Sequence, residues 1–348
     1  MATRSKTEIY VKDYPGQLKS LRQTAGETEP ALGFGLWVLL AKQGIRLSWG
    51  DTEVLSGQAL QFVYSRDPLH AVDKYTIRPL DSLSRALGIT WTEITPSSSL
   101  KAFEVAQEWL DDGAMFLARF RQPILVFGYE KTSFEADLKV LRIEHRLPDE
   151  ILPRPECDLH DWRLQMDEGN TLLRVNFVEH PDPDWMALLP LVVRRTIANW
   201  RHEPIDGVDI GLSAYKSFAD DLRNPEVDFT GPEAPSWMGP LLYRQIHART
   251  HIHQFLDRLA PRFGGKPRQV LSKASTNFGQ SAASWQEFAK HLGRVYERQE
   301  HGKSLRGPDT NVNHWRDSRR RQEAAKLVDQ AALWEGRAIT ELAKLLGT

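Results

Sequence analysis

The hydrophobic pattern divides the chain into a front part with short apolar runs and a back part with longer amphipathic ones. In the front part, the strongly apolar residues 30–41 (PALGFGLWVLLA) predict a buried helix that Thr28 and Glu29 cap and Gly44 ends. Other front-part patterns predict helices over residues 80–88 and 100–112 and strands over 61–64, 115–120, 123–129, 138–143 and 171–178. Residues 1–28 are polar and predict an irregular arm.

The back part has helical spacing almost throughout. It predicts helices over residues 184–200, 211–223, 234–262, 281–299 and 313–346, with Pro/Gly-rich breaks near 225–240, 264–267 and 302–309. No strand is predicted after about residue 180. The boundary is placed at residues 180–183 (HPDP), so the sequence predicts an α+β domain over 1–180 and an all-α domain over 181–348.

Composition and charge narrow the class of protein. The 348 residues are 41% hydrophobic and 26% charged, which is typical of a globular protein and excludes a disordered chain, a coiled coil or a collagen-like repeat. The net charge of −1 indicates no nucleic-acid partner. Residues 241–348 nevertheless hold 19 Lys and Arg against 10 Asp and Glu. This basic back part is either a solvated face or a surface for a partner.

Cysteine content and apolar run length bear on location. The single cysteine, Cys157, excludes an internal disulfide and a cysteine-based zinc site, and it fits a reducing cytoplasm. The longest apolar stretch, residues 31–41, is too short to cross a bilayer, and the N-terminus does not lead into a signal-peptide core. We therefore expect a cytoplasmic protein without a membrane partner. No phosphate-binding loop or GxGxxG motif is present, so no cofactor is expected.

Several segments resemble one family in order and spacing. They are residues 31–64, 106–113 (AQEWLDDG), 122–130 (QPILVFGYE), 184–200, 211–222 and 244–259. Together they resemble papain-like, C39-peptidase-like acyltransferases of the butirosin-biosynthesis type, which carry a helical C-terminal domain. The resemblance implies a papain-like domain over 1–180. It also implies that a cysteine thiolate takes an acyl group from a thioester and passes it to an amine.

The family's catalytic positions hold other residues in this chain. The cysteine position falls on Ala31, and shifting the register reaches Thr28 or Gly26. The histidine position falls on Gln122, and the orienting acid falls near Arg142, with Glu144 two residues later. Alanine cannot attack and glutamine cannot act as a base at neutral pH. Three hypotheses follow. The protein is a relative without catalysis that is kept as a binding or scaffold protein, or its papain-like cleft still binds an acyl or amine substrate and uses other groups. The third is that the family's positions align with this sequence in a different register.

Three further groups have alternative interpretations. Cys157, with His160 and Asp161 nearby, is either a relocated nucleophile or a loop or packing residue. His247 and His251 share a helix face and are either two metal ligands without a third or a partly exposed pair on a polar face. Glu29, with its neighbours Glu27 and Thr28, either caps the helix or lines the former active site together with Gln122.

The arginines near the C-terminus form the last candidate group. They are Arg316, Arg319, Arg320 and Arg321. They either bind phosphate, that of a carrier protein's phosphopantetheine or of nucleic acid, or lie on a solvated helix face.

These observations lead to two functional hypotheses. The first is a protein of specialised-metabolite biosynthesis that binds an acyl or aminoacyl unit and assists amide-type condensation, with Gln122, Glu29 and Cys157 as candidate catalytic residues. Its expected partners are a small amine or acyl substrate and an acyl carrier protein or partner enzyme. The second is a catalytically inactive scaffold or regulatory protein. The sequence leaves open whether the chain is an enzyme.

Overall fold

The chain forms two compact units. The computed structural model describes residues 7–10, 32–65, 79–119, 123–131, 136–142, 171–178, 183–229, 238–292, 297–300, 303–306 and 312–347. Unit 1 comprises Met1–Thr52 and Leu83–Pro183, and unit 2 comprises Glu53–Ser82 and Asp184–Thr348. Residues 53–82 therefore belong with the back part of the chain, whereas the hydrophobic pattern placed them in the front domain.

The front part of the chain alternates helices with strands. In order they are β1 (Thr7–Tyr10), α1 (Leu32–Lys42), α2 (Trp49–Ser56), β2 (Val63–Tyr64), α3 (Pro79–Leu87), β3 (Ile89–Ile94), α4 (Ser99–Asp111), β4 (Phe116–Arg119), β5 (Pro123–Lys131), β6 (Ala136–Arg142) and β7 (Thr171–Val178). A 3₁₀ turn, Gln58–Leu60, precedes β2. The division between the units falls inside α2 and again inside α3.

The back part of the chain is mostly helical. Its elements are α5 (Trp185–Trp200), β8 (Asp209–Ile210), α6 (Leu212–Arg223), α7 (Met238–Leu259), α8 (Gly265–Leu292), β9 (Glu297–Glu300), β10 (Lys303–Arg306), α9 (Val312–Arg316) and α10 (Ser318–Ala343). A 3₁₀ turn, Ala260–Arg262, joins α7 to α8. None of the helices in the described part of the chain combines the length and apolar character that crossing a bilayer requires.

Unit 1 is organised around one antiparallel sheet. Its strand order is β1-β5-β4-β7-β3, with β6 also paired to β5. Consecutive residues Phe116, Leu117 and Ala118 are fully buried, so both faces of β4 are covered. This explains why the strand is an apolar run and not an alternating pattern. Helices α1 and α4 pack against β5, and Trp109 of α4 meets Phe116 edge to face at 5.3 Å.

Unit 2 has an aromatic core between helices. Residues 53–82 contribute Phe62, whose ring lies 4.5 Å from Tyr215 on α6 and 5.4 Å from Trp285 on α8. β2 pairs with β8, and the amide of Gly211 donates to the carbonyl of Phe62 at 2.7 Å. Gly211 has a φ of +64°, and a Cβ there would lie 2.2 Å from the carbonyl oxygen of Asn199. Only glycine fits this turn.

Most predicted elements are present in the described ranges. The glycines expected to end α1, α3 and α4 all have positive φ: Gly44 (+80°), Gly88 (+63°) and Gly113 (+77°). β7 and α5 match their predictions to within a residue. The chain is therefore a mixed helix-and-sheet protein with a helical C-terminal part, and this confirms the predicted general class of fold.

Other elements correct the predictions. β1 lies within the predicted irregular arm, and β3 was not predicted because its sequence ITWTEI is only half-buried at the sheet edge. The strands β8, β9 and β10 lie after residue 180, where no strand was expected. They are short or polar, so they have no hydrophobic periodicity to detect. Helix α8 begins at Gly265 inside a predicted break, because proline is tolerated in a first helical turn.

Candidate functional site

The residues predicted to be catalytic fall mainly outside the described part of the chain. Glu29, Ala31, Gln122 and Cys157 all lie there, and Arg142 is the last residue of β6. The elements that follow two of these positions are described. Helix α1 begins at Leu32 and strand β5 begins at Pro123, and these two elements pack against each other.

The described acid–base groups of interest lie in unit 2, in a histidine cluster of Glu53, His247 and His251. The Nδ1–H of His251 donates to Oε2 of Glu53 at 2.9 Å, because a carboxylate only accepts hydrogen bonds. The side chains of His251 and Glu53 are 11% and 8% exposed. His247 lies one turn earlier on α7, so both imidazoles share a face, with ring centroids 6.2 Å apart.

The two histidines have different electrostatic surroundings. Burial, followed by the positive charge of His251, lowers the pKa of His247 to about 4, and Glu53 opposes this only in part. His247 is therefore uncharged at neutral pH. His251 contacts the carboxylate directly, so its imidazolium form has a counter-ion close by.

This geometry resembles the base half of a catalytic triad in chemical terms. A carboxylate that holds Nδ1–H fixes the tautomer in which Nε2 accepts a proton. Metal binding is less well supported, because the described residues contain no group of three His, Cys, Asp or Glu side chains placed to hold an ion. The prediction of a partly exposed pair on a polar face is wrong for His251, which is buried.

A second polar group, the buried arginine network, lies on the same helix. Arg249 is fully buried and binds Glu335 through two hydrogen bonds, Nε to Oε2 at 2.9 Å and Nη2 to Oε1 at 3.1 Å. Its Nη1 also donates to the Gln245 side chain and to the carbonyl of Gln61. The hydroxyl of Tyr215 donates to Oε2 of Glu335 at 2.6 Å. The network joins α6, α7, α10 and residues 53–82.

Electrostatics support a structural role for this network. Burial raises the pKa of Tyr215, and the charge of Glu335 raises it further, while Arg249 opposes the shift. Burial lowers the pKa of Arg249, but Glu335 and Tyr215 together outweigh it, so the pKa of Arg249 is raised. Arg249 therefore stays charged at any physiological pH, and its guanidinium is paired with Glu335. The network is not exposed to a substrate.

Sequence reasoning missed Glu53, Arg249 and Glu335. Arg249 stands between the two predicted histidines, but its partner Glu335 is 86 residues away. Glu53 and His251 are 198 residues apart. No local spacing signals such pairs. The only available hint was the presence of Arg249 on an otherwise half-apolar helix.

The C-terminal arginines do not form a single surface. Arg321 is buried, and its Nη1 donates to the carbonyl of Val227 at 2.7 Å while its guanidinium lies 5.5 Å from the Phe229 ring. Arg320 donates to the carbonyl of His291 at 3.3 Å. Only Arg316 and Arg319 are exposed. The expectation of a solvated helix face is confirmed for Arg316 and Arg319, whereas Arg321 is buried and cannot belong to a four-arginine phosphate site.

Comparisons of the chain with family models and with curated proteins gave no match. The papain-like resemblance thus rests on the sequence segments quoted above.

Proposed function

We propose that the protein binds an acyl or aminoacyl unit and assists amide-type condensation in specialised-metabolite biosynthesis, without a covalent acyl-cysteine. The observation that carries this proposal is the buried Glu53–His251 pair beside an uncharged His247. An imidazole oriented by a carboxylate is a suitable acceptor for the proton that an attacking amine must lose. The cluster replaces Gln122 and Glu29 as the proposed acid–base group.

The reaction step needs no cofactor. The amine nitrogen attacks the thioester carbonyl carbon and forms the C–N bond, and Nε2 of His251 takes the proton from nitrogen. The C–S bond breaks, and the thiolate leaves and is then protonated. Glu53 stabilises the imidazolium that forms. Since His247 is uncharged, it does not repel that cation.

The papain-like part of the proposal is supported by the local order of unit 1. The buried helix α1 packs against β4, β5 and β7. The positions corresponding to the family's cysteine and histidine, Ala31 and Gln122, immediately precede α1 and β5 in the sequence. Because neither residue can act as a nucleophile or a base, the covalent route of the family is not proposed here.

The test is a product assay with a panel of acyl and aminoacyl thioesters, each with and without amine acceptors. We expect amide product from the wild type, at least a tenfold loss for His251→Ala because general bases typically contribute a hundredfold or more, and no loss for the exposed control His202→Ala. Intact mass is recorded in parallel beside Cys157→Ala. A Cys157-dependent acyl adduct would overturn the non-covalent route.

The second candidate function is a catalytically inactive scaffold for an acyl carrier protein or partner enzyme. The observation that favours it is that Glu53–His251 joins segments 198 residues apart, as a structural tie would. In that case His251→Ala lowers the free energy of unfolding, and no thioester in the panel is consumed by any variant. Comparing the unfolding and turnover of His251→Ala therefore separates the two functions.

A further inference from the structure

The connection between α7 and α8 is strongly basic. This hairpin tip, residues 258–273, contains five basic and no acidic side chains, and all five are exposed. They are Arg258, Arg262, Lys266, Arg268 and Lys273. A surface with this excess of exposed positive charge attracts a partner with negative charge.

Apolar side chains stand beside these cations. The guanidinium of Arg262 lies 5.5 Å from the Trp185 ring, which places the start of α5 next to the hairpin tip. The adjacent Met186 is 58% exposed, the largest exposure among the apolar side chains identified as exposed in the described residues. Phe263 lies within the tip itself and is half-buried. Cations and interfacial apolar groups thus share one surface.

The shape of this region also limits the partner. The tip joins two long helices that pack against each other, and residues 264–269 are all exposed. The end of a helical hairpin is convex, so it meets a flat surface more readily than it encloses a small ligand. A nucleic-acid backbone would pair with the cations, but it offers no apolar layer for Met186 and Phe263. The interface of a lipid bilayer offers both.

We propose that the hairpin tip docks the protein peripherally on a phospholipid surface that contains anionic lipid. The cations bind the lipid phosphate and carboxylate groups, and Phe263 and Met186 enter the boundary between headgroups and acyl chains. This inference concerns a surface of unit 2 and does not depend on the proposed condensation. Peripheral docking of this kind needs no membrane-spanning helix, and none of the described helices is long and apolar enough to span a membrane.

Co-sedimentation of the full chain with large vesicles tests the proposal. One set contains phosphatidylcholine alone, and the other contains about one-third phosphatidylserine, a charge density that gives a marked negative surface potential. We expect binding to the anionic set only, and loss of that binding in about 1 M salt, where the screening length falls to about 3 Å. Equal binding to both sets, or binding to neither, would overturn the proposal.

Matched variants locate the surface. Each cation near an anionic bilayer contributes about fivefold to partitioning, so Lys266→Gln/Arg268→Gln/Lys273→Gln should weaken binding about 100-fold. Met186→Ser should weaken it by only a few-fold, because one partly buried apolar side chain is lost. The control Arg201→Gln/Lys216→Gln/Lys326→Gln removes three exposed cations elsewhere in unit 2 and should bind like the wild type.

Two outcomes of the variant experiment count against the proposal. If both triple variants bind equally well, the tip is not the docking surface. If a short DNA duplex binds in a tip-dependent manner while anionic vesicles do not, the surface recognises nucleic acid. All substituted positions are exposed, so thermal unfolding should show unchanged midpoints and confirm that lost binding is not lost folding.

Discussion

The cores of the two units are stabilised in different ways. In unit 1, Leu117, Leu125 and Leu173 lie opposite one another on the central strands and are fully buried. In unit 2, a buried ion pair, Arg249–Glu335, adjoins the aromatic core through Tyr215. An apolar core tolerates many hydrophobic sequences of similar volume. A buried polar network works only when every member has its partner, so it specifies one arrangement of its helices.

Breaking the buried ion pair should have the largest effect. Glu335→Ala leaves the charge of Arg249 buried without its counter-ion and should cost about 3–5 kcal/mol of the free energy of unfolding. Chemical denaturation measures this change. The control Glu341→Ala removes a carboxylate from the same helix that pairs with Lys344 near the surface, and it should cost about 1 kcal/mol or less.

A double variant sharpens this test. Arg249→Met/Glu335→Leu removes both charges and should recover most of the stability lost in Glu335→Ala, because matched apolar groups avoid the desolvation cost. If the double variant is as unstable as the single one, the network is needed for packing and not for charge compensation.

Truncating a core side chain of unit 1 should lower the free energy of unfolding slightly less than breaking the ion pair of unit 2. Leu117→Ala creates a cavity between strands and should cost about 3 kcal/mol. Leu333→Ala, at a position that is 53% exposed, should change stability by less than about 0.5 kcal/mol. Equal effects at the two positions would contradict the burial of β4.

The histidine cluster should make the stability of unit 2 depend on pH. The pKa of His247 is about 4 in the folded protein and about 6.5 in an unfolded chain, so the unfolded state binds more protons between these values. The contribution of uncharged His247 to the free energy of unfolding is therefore complete above about pH 6.5. It is lost as the pH is lowered towards 4, by at most about 1.4 kcal/mol per pH unit.

The variant His247→Gln isolates this contribution. Unfolding midpoints measured from pH 7 to pH 4 should decline less steeply for the variant than for the wild type. The exposed His202→Gln should follow the wild-type curve. Identical slopes for all three proteins would show that His247 is not shielded from solvent.

The smallest effect is expected at a buried acceptor without a partner. The side-chain oxygen of Gln58 is buried and accepts no hydrogen bond from the part of the chain that the structure describes. Gln58→Met keeps the volume and removes the unsatisfied group, so the free energy of unfolding should change by less than about 1 kcal/mol or rise. A loss above about 2 kcal/mol would instead indicate a bound water that bridges this oxygen to the chain.

Local patterns predicted local structure well. The apolar run of α1, the ends of α1, α3 and α4 at positive-φ glycines, and the strand β7 depend on neighbours in the sequence, and all were found. The site was harder to predict. His247 and His251 were selected because they lie four residues apart. Glu53 was not, because its partner His251 is 198 residues away in the sequence.

The sequence by itself determined the mixed helix-and-sheet class, most helix ends and the absence of cysteine before residue 157, because these follow from periodicity, glycine and residue identity. Only the tertiary structure decided that residues 53–82 join unit 2, that Arg249 pairs with Glu335 and that Arg321 turns inward. Those outcomes depend on desolvation. A local sequence pattern predicts that a charged side chain is exposed to solvent. Only long-range packing can bury such a side chain together with a partner of opposite charge.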